Sequence, residues 1–283
     1  MTHPNPQLEA IVADVLATPK YASISPALVQ AVAARELRAH PRSKEALKET
    51  KSKLHQIAAS YIGADFQRAI ALDMLHAAFA ETVGVPDSWQ LPAAHEACLA
   101  IMGMHASTRE RLPYLERFYD TILGGLPPVT SVLDLACGLN PLAFGWMPLA
   151  PHAAYYACDA VGSLVAVVGE FLALAGIKGQ ASTCDLLSNP PDRPVDLALA
   201  LKLLPVLEQV ERNAGARLLR ELNARWIVVS YPTRSLGGRG RGMAANYERQ
   251  FRDAIAEQPW RATPFEFPNE LVFLIDKGRQ PPV

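Results

Sequence analysis

At 283 residues, half of them apolar and 19% charged, the chain has an ordinary globular composition and the length of one large domain or two small ones. No stretch approaches the roughly 18 uncharged apolar residues of a membrane span, and the opening "MTHPNPQLEA" lacks the pattern of a secretory signal. The four scattered cysteines form no CxxC pair, so we predict buried thiols in the cytoplasm, no metal site and no membrane contact.

The first hundred residues are predicted to be helical throughout. Apolar residues recur there at spacings of three and four, which is the signature of amphipathic helices. A linker, "GVPDSWQLP", precedes the last helix of the region. The predicted helices cover residues 8–17, 25–40, 43–63, 66–83 and 93–104. We therefore predict an all-helical region over residues 1–104.

The overall charge of −1 is distributed unevenly along this helical region. Between Arg35 and Lys53 there are seven basic residues against three glutamates, so this segment alone carries a net charge of +4. The basic residues are Arg35, Arg38, Arg42, Lys44, Lys48, Lys51 and Lys53. A solvated helix face is one interpretation. A nucleic-acid contact is the other, because a concentrated positive surface attracts phosphates.

From residue 105 the pattern changes to alternating strands and helices. Residues 105–123 are predicted to form one helix with a capping box, Ser107 at its start and Glu110 three positions later. Two further helices are predicted over 161–177 and 207–223. The predicted strands cover 131–136, 153–159, 179–185, 195–201, 225–232, 265–269 and 270–276. This alternation predicts an α/β domain over 105–283, a mostly parallel sheet covered on both faces.

Three of these strands end in groups suited to a nucleoside. Ligands of open α/β sheets bind at the carboxyl ends of the strands. The first strand leads to the turn "DLACGLNP", where Gly138 allows close approach to the backbone. The second ends in Asp159, a carboxylate placed for ribose hydroxyls. The third ends in Asp185 and Leu186, suited to an adenine ring.

The phosphate-binding motifs of nucleotide folds are missing from the sequence. There is no GxGxxG to hold a pyrophosphate and no GxxxxGK[ST] to hold a triphosphate. A nucleoside cofactor without phosphates fits this pattern, and S-adenosyl-L-methionine is the common one. A single glycine suffices where only an amino-acid tail must pass the turn.

Four motifs, in this order, carry a resemblance to a known family: "HASTRERL", "VLDLACGLNPLAF", "LALKLLPVLE" and "YPTRSLGGRGRGM". The chain resembles the aminoglycoside-resistance 16S rRNA methyltransferases that modify guanine N7 at the decoding site. The resemblance extends from about residue 35 to about 276. It implies a Rossmann-like class I methyltransferase sheet and a monomeric enzyme acting on 16S rRNA within the 30S subunit. It also implies resistance to gentamicin- and kanamycin-type drugs.

The resemblance implies a role for each of twelve cofactor-binding positions. The start of the capped helix lies against the cofactor, and Arg111 binds the methionine carboxylate. Leu201 closes the pocket under the sulfonium, and Tyr61 shields the cofactor from above. Some family members carry a glutamine where this chain has Val210, with Gln209 beside it. The implied positions are Tyr61, His105, Ala106, Ser107, Arg111, Ala136, Gly138, Asp159, Asp185, Leu186, Leu201 and Gln209.

Two clusters are predicted to contact RNA. Arg234, Arg239 and Arg241 lie on a glycine-rich loop after the fifth strand, suited to closure over a phosphate backbone. The helical region adds Arg35, Arg38, Lys48, Lys51 and Lys53 as a docking surface. We name no catalytic base, because guanine N7 is already nucleophilic.

Two alternatives remain open from the sequence. A methyltransferase acting on another RNA, a protein or a small molecule would keep the cofactor residues and leave the basic clusters unexplained. A catalytically silent binding protein would keep the fold, without a reason for a complete set of cofactor positions.

Overall fold

The computed structural model describes residues 5–59, 66–82, 85, 87–233 and 243–278. The helices in these ranges are α1 (Pro6–Leu16), α2 (Pro26–Ala39), α3 (Ser43–Leu54), α4 (Arg68–Phe79), α5 (Pro92–Met102), α6 (Ala106–Arg111), α7 (Leu115–Leu123), α8 (Gly162–Leu174), α9 (Leu204–Val210), α10 (Ala214–Glu221) and α11 (Met243–Ile255). The strands are β1 (Ser131–Leu135), β2 (Ala154–Asp159), β3 (Gly179–Thr183), β4 (Val195–Leu201), β5 (Ala224–Pro232), β6 (Arg261–Phe267) and β7 (Glu270–Asp276). The predicted α/β architecture with a helical amino-terminal region is confirmed.

The seven strands form one sheet in the order β3-β2-β1-β4-β5-β7-β6. The first five strands are parallel to their neighbours, and β7 pairs antiparallel with both β5 and β6. The strand order reverses between β1 and β4, because the chain runs outward from β1 to β3 and then returns to the other side. In open α/β sheets a ligand crevice forms outside the carboxyl ends of the strands at such a point.

Alternate residues of each strand face opposite sides of the sheet, and each side has its own hydrophobic core. Val132 and Leu197 point into the hydrophobic core formed with α1–α5, α7 and α8. Leu133 and Ala198 point into the second core, formed with α9, α10 and α11. Side chains alternate between faces with a period of two. Because both faces are covered, these strands are apolar along nearly their whole length.

Two predicted helices are each divided in the structure. The segment 105–123 forms α6, a 3₁₀ turn (Leu112–Tyr114) and α7, because Pro113 has no N–H group and its ring disrupts a helix interior. The segment 207–223 is divided at Asn213, whose φ of 62° lies in the left-handed region. The helix α11 was not predicted.

The predicted capping box at Ser107 is wrong. The helix begins at Ala106, so His105 is the N-cap residue and Ser107 already lies within the first turn. No side-chain hydrogen bond caps this helix. The segment therefore begins earlier than the S-x-x-E pattern predicts, and the ring of His105 is held at the helix start.

The helical region packs directly against the sheet. One continuous hydrophobic core joins α1–α5 to a face of the sheet, and the rings of Phe79 on α4 and Phe171 on α8 meet edge to face at 6.2 Å. The segment between α1 and α2 also pairs with the backbone after β2: Ser25 N–H donates to Ala160 O at 2.6 Å, and Gly162 N–H donates to Ser23 O at 2.6 Å. The division of the chain at residues 104 and 105 stays a prediction.

The shared core generates a stability prediction for α4. Phe79→Ala removes a fully buried ring and is expected to lower the free energy of unfolding by about 3–5 kcal/mol. Ile70 lies on the same helix but is 43% exposed, so Ile70→Ala should change it by less than about 0.5 kcal/mol. Urea denaturation measures both. A single transition is expected, and two separate transitions would show that the helical region unfolds by itself.

Candidate functional site

An open cleft lies at the carboxyl ends of β1, β2 and β4, where the strand order reverses. Including the part open to solvent, its empty volume is about 1010 Å³, which suits a small molecule or cofactor. Eight of the sequence-predicted cofactor positions line it. They are His105, Ser107, Arg111, Ala136, Asp159, Asp185, Leu186 and Leu201.

The remaining predicted cofactor positions are placed differently. Ala106 and Gly138 are next to lining residues in the chain without lining the cleft themselves. Gln209 is exposed, whereas its neighbour Val210 is buried and lines the cleft, because α9 turns its apolar side inward. The structure therefore does not bring Gln209 into the cleft. Tyr61 lies outside the described residues.

The turn after β1 is held by Asp159. Gly138 N–H donates to Asp159 Oδ2 at 2.8 Å, and Val161 N–H donates to Oδ1 at 2.8 Å. Burial raises the pKa of Asp159, and these backbone donors oppose the shift. Each carboxylate oxygen accepts more than one hydrogen bond. Asp159 can therefore hold the turn and still accept from a ligand hydroxyl.

His105 covers the same turn from the start of α6. Gly138 has a φ of +54°, and a Cβ built on it would lie 2.7 Å from His105 Cε1. Glycine is thus required both by its backbone conformation and by the ring above it. Burial, followed by the positive charges of Lys202, Arg111 and Arg109, lowers the pKa of His105 to about 4. His105 is therefore a neutral imidazole at pH 7.

Arg111 is a buried cation with a buried partner. Its Nε donates to Glu270 Oε2 at 3.2 Å and its Nη2 donates to Glu270 Oε1 at 2.7 Å. Its Nη1 donates to Asn140 Oδ1 at 2.9 Å, and its Cζ lies 4.5 Å from the ring centre of Phe118. Burial opposes both charges, yet their attraction raises the pKa of Arg111 and lowers that of Glu270.

Asn140 connects this ion pair to the first strand. Its Nδ2 donates to Asp134 Oδ2 at 2.9 Å, and Tyr155 Oη donates to the same oxygen at 2.8 Å. Its Oδ1 accepts from Tyr119 Oη as well as from Arg111. Burial raises the pKa of Asp134 to about 7, against the lowering effect of these hydrogen bonds. The floor of the cleft is thus a connected polar network.

Lys202 follows β4 in an unusual backbone conformation. Its φ is 56°, in the left-handed region, and its side chain is buried. Its Nζ donates to Glu110 Oε2 at 2.6 Å and lies 4.0 Å from Glu270 Oε2. Strained backbone of this kind is frequent at functional sites. Lys202 therefore joins the rim of the cleft at Glu110 to its buried interior.

The third strand end provides a turn as well as a carboxylate. Asp185 Oδ1 accepts from Leu187 N–H at 3.0 Å and from Ser188 N–H at 3.3 Å. Leu186 and Leu187 belong to the turn that these hydrogen bonds close, and both line the cleft. The carboxylate therefore fixes a loop that presents apolar surface to a ligand.

The basic residues of the helical region lie on α2, on α3 and in the turn between them. Lys44, Lys48 and Lys51 follow one another at one-turn spacing on α3 and share a face. Arg35 is close enough to Glu211, the residue after α9, to lower the pKa of that carboxyl, after the larger effect of its hydrogen bond from Arg217. Because α9 lines the cleft, Arg35 lies on the side of α2 that is near this helix.

The predicted RNA-contacting residues differ in exposure. Arg38 and Lys48 are exposed, whereas Arg35, Lys51 and Lys53 are half-buried. Arg234, Arg239 and Arg241 lie outside the described residues. Over the described part of the chain, no helix is long and apolar enough to cross a membrane. No group of three or more His, Cys, Asp or Glu side chains is arranged there to hold a metal ion.

Sequence reasoning missed four polar residues of the cleft and its network. They are Asp134, Asn140, Lys202 and Glu270. An acidic residue beginning an apolar strand, as in "NELVFLID", is the signal that could have identified Glu270 as a buried carboxylate. Its partner lies 159 positions away in the chain, so only the fold reveals the pair.

Comparison with known proteins agrees with this geometry. A family model described as "Ribosomal RNA methyltransferase (FmrO)" matches residues 17–274. A 16S rRNA (guanine(1405)-N(7))-methyltransferase of Micromonospora echinospora is 34% identical over 275 residues, covering 97% of this chain and 98% of that protein. Its counterpart from Frankia casuarinae is 37% identical over 258 residues, covering 90% and 89%.

Solved structures agree over nearly the whole chain. The 16S rRNA methyltransferase RmtF, in complex with S-adenosyl-L-homocysteine, has a TM-score of 0.78 and 32% identity, with 97% of this chain and 100% of that chain covered. The 16S rRNA methylase RmtB has a TM-score of 0.77 and 27% identity, with the same coverage.

The glycine under His105 can be tested directly. Gly138→Ala forces an L-residue into a left-handed conformation and against the ring, so the free energy of unfolding should fall by about 1–3 kcal/mol. A Cβ on Gly125 would meet no described atom within 4 Å, so Gly125→Ala is the matched control, expected within about 0.5 kcal/mol. Urea denaturation distinguishes them. Equal stability of the two variants would contradict the packing described above.

Proposed function

The chain belongs to the ribosomal RNA methyltransferase (FmrO) family, and from this membership we propose that it methylates N7 of guanine 1405 in 16S rRNA, with S-adenosyl-L-methionine as methyl donor. The observation that carries the proposal is the cleft: eight residues expected to hold the cofactor converge there from α6 and the ends of four segments. The proposed substrate is the rRNA within the 30S subunit.

The donor set of the cleft fits this cofactor. We assign the methionine carboxylate to Arg111, the ribose hydroxyls to Asp159, and the adenine ring to Asp185 and Leu186, all of which line the cleft. A guanidinium matches a carboxylate, and a carboxylate accepts from hydroxyls. Gly138 has no side chain, and the ring of His105 packs where its Cβ would lie. Ala136 and Leu201, which line the cleft, complete the proposed apolar contacts.

The chemistry asks the protein for alignment more than for proton transfer. S-adenosyl-L-methionine supplies an electrophilic methyl group when bound. Guanine N7 has a lone pair outside the aromatic system and needs no base to expose it, so proximity and orientation provide most of the rate enhancement. His105, neutral at pH 7 because its pKa is about 4, adds no positive charge beside a cationic cofactor. We assign no catalytic base.

We further propose that RNA docks on the basic residues of α2 and α3. We also propose that the enzyme acts in the cytoplasm, where ribosomes are. The docking surface is the set Arg35, Arg38, Lys48, Lys51 and Lys53, together with Arg234, Arg239 and Arg241. Large apolar side chains are rarely exposed in the described ranges: four exceed one third exposure. This supports a monomer.

The decisive experiment is methyl transfer to purified 30S subunits from an unmethylated strain. Label from S-adenosyl-L-methionine is expected in 16S rRNA, at guanine 1405, detected by strand cleavage specific for 7-methylguanine. Expression in a susceptible bacterium should raise resistance to gentamicin- and kanamycin-type drugs and leave apramycin susceptibility unchanged. Label at another base, or transfer to small molecules without transfer to 30S subunits, would overturn the proposal.

The basic surface should contribute affinity without base selection. The double variant Lys48→Glu, Lys51→Glu is expected to weaken 30S binding strongly, and each lost phosphate contact should flatten the log–log salt dependence by roughly 0.7–0.9. Lys178 and Arg220 are exposed residues that precede β3 and β5, so they lie toward the amino ends of the parallel strands, opposite the ends that form the cleft. Their double glutamate variant is the matched control.

Filter binding across a salt series measures both variants. If the α3 variant binds 30S subunits like the control, the lysines form only a solvated helix face. Binding of S-adenosyl-L-homocysteine, measured by calorimetry, should be unchanged in both, because neither pair of residues lines the cleft.

A further inference from the structure

The Arg111 guanidinium is only partly satisfied by the residues around it. Arginine has five N–H donors in a planar fork. Three are used among the described residues: Nε and one Nη2 hydrogen bind Glu270, and one Nη1 hydrogen binds Asn140. One donor on Nη1 and one on Nη2 have no partner among the described residues. Since Arg111 lines the cleft, a ligand carboxylate can bind there.

The geometry of this fork is imposed by Glu270. The carboxylate takes the side of the guanidinium, through Nε and Nη2, and Asn140 takes one Nη1 donor, so the remaining Nη1 and Nη2 donors are left for a ligand. Glu270 is itself fixed: it is fully buried, it begins β7, and its Oε1 also accepts from Ser230 Oγ on β5. Glu270 on β7 therefore holds the side chain of Arg111, on the short helix α6, in a fixed position.

The carboxylate of Glu270 is shared between two cations. Arg111 and Lys202 both face the single buried carboxylate of Glu270, and His105 is neutral at pH 7. Lys202 has a second partner, Glu110, at the half-exposed rim. Asp134 is separated from Arg111 by Asn140. Of the two buried cations, Arg111 is thus the one whose remaining donors suit a ligand carboxylate.

Stability alone gives little reason for this ion pair. Replacing a buried ion pair with apolar residues is often neutral or stabilising, because desolvation offsets the attraction. Arg111 is 1% and Glu270 0% exposed, so both carry the full desolvation cost. A binding role accounts for the retention of both charges.

We infer that Glu270 is a positioning residue for the cofactor: it holds Arg111 so that the remaining Nη1 and Nη2 donors receive the methionine carboxylate. The inference rests on the proposed assignment of that carboxylate to Arg111. It assigns Glu270 no contact with the cofactor. Its effect is therefore expected only for ligands that carry the carboxylate.

Two ligands separate this role from general support of the fold. S-adenosyl-L-homocysteine has the methionine carboxylate, whereas 5′-methylthioadenosine keeps the nucleoside and lacks the amino-acid tail. In Glu270→Gln, calorimetry should show affinity for the first ligand reduced by roughly tenfold or more, the loss expected when one charged hydrogen-bonded pair is broken. Affinity for 5′-methylthioadenosine should stay within about twofold, which also reports that the nucleoside site is folded.

Matched variants complete the experiment. Glu266→Gln removes an exposed carboxylate from the neighbouring strand β6 and should change neither affinity. Arg111→Lys should reproduce the Glu270→Gln pattern, and the double variant should be no weaker than the weaker single variant, because both act through one guanidinium. In methylation assays, Glu270→Gln should raise the KM for the cofactor more than it lowers kcat at saturation.

The outcomes distinguish the inference from the function. Equal losses for both ligands in Glu270→Gln would reduce Glu270 to a structural residue, and no loss for either would remove it from the site. No selective loss in Arg111→Lys would overturn the assignment of the carboxylate to Arg111. Wild-type methylation of 30S subunits tests the proposed function independently of all three results.

Discussion

Arg111 carries a permanent charge that the fold has removed from water, and the arrangement of the cleft follows from that cost. A guanidinium persists in the interior only where its donors find acceptors. Glu270 and Asn140 provide them, and the ring of Phe118 covers the cation. These partners come from β7, from the segment after β1 and from α7. One buried charge therefore fixes three distant segments relative to α6, and the cleft lies where they meet.

The backbone at the strand ends is shaped by a second constraint. Ala136 after β1 and Lys202 after β4 have φ angles of 48° and 56°, and such conformations cost about 1–3 kcal/mol each in residues other than glycine. Neighbouring strands hold both in place: Cys137 N–H donates to Cys158 O, and Lys202 N–H donates to Ser230 O, each at 3.0 Å. The two segments that follow β1 and β4 therefore turn sharply where the strand order reverses, and the crevice lies between them.

The sequence predicts what depends on local pattern. The bounds of β4 and β7 agree to the residue, because each contains a run of five apolar residues bounded by acidic or basic residues. Eight of the predicted cofactor positions line the cleft, and strand ends and a shared motif mark them in the sequence. The rest depends on tertiary contacts or on backbone angles. The break at Asn213 needs a left-handed φ, Gln209 faces outward because of the phase of α9, and the partner of Arg111 lies on a strand 159 positions away.

The boundary predicted from the sequence at residues 104 and 105 separates an all-helical pattern from a strand–helix pattern. Backbone hydrogen bonds nevertheless connect the two regions beside the cleft. Ser23 and Ser25, between α1 and α2, exchange two backbone hydrogen bonds of 2.6 Å with Gly162 and Ala160. Ala160 directly follows Asp159, whose carboxylate holds the Gly138 turn. The helices α2 and α3 that carry the basic surface are thus anchored to the loop proposed to hold the ribose. RNA docked at the proposed surface would therefore contact helices that backbone hydrogen bonds connect to this loop.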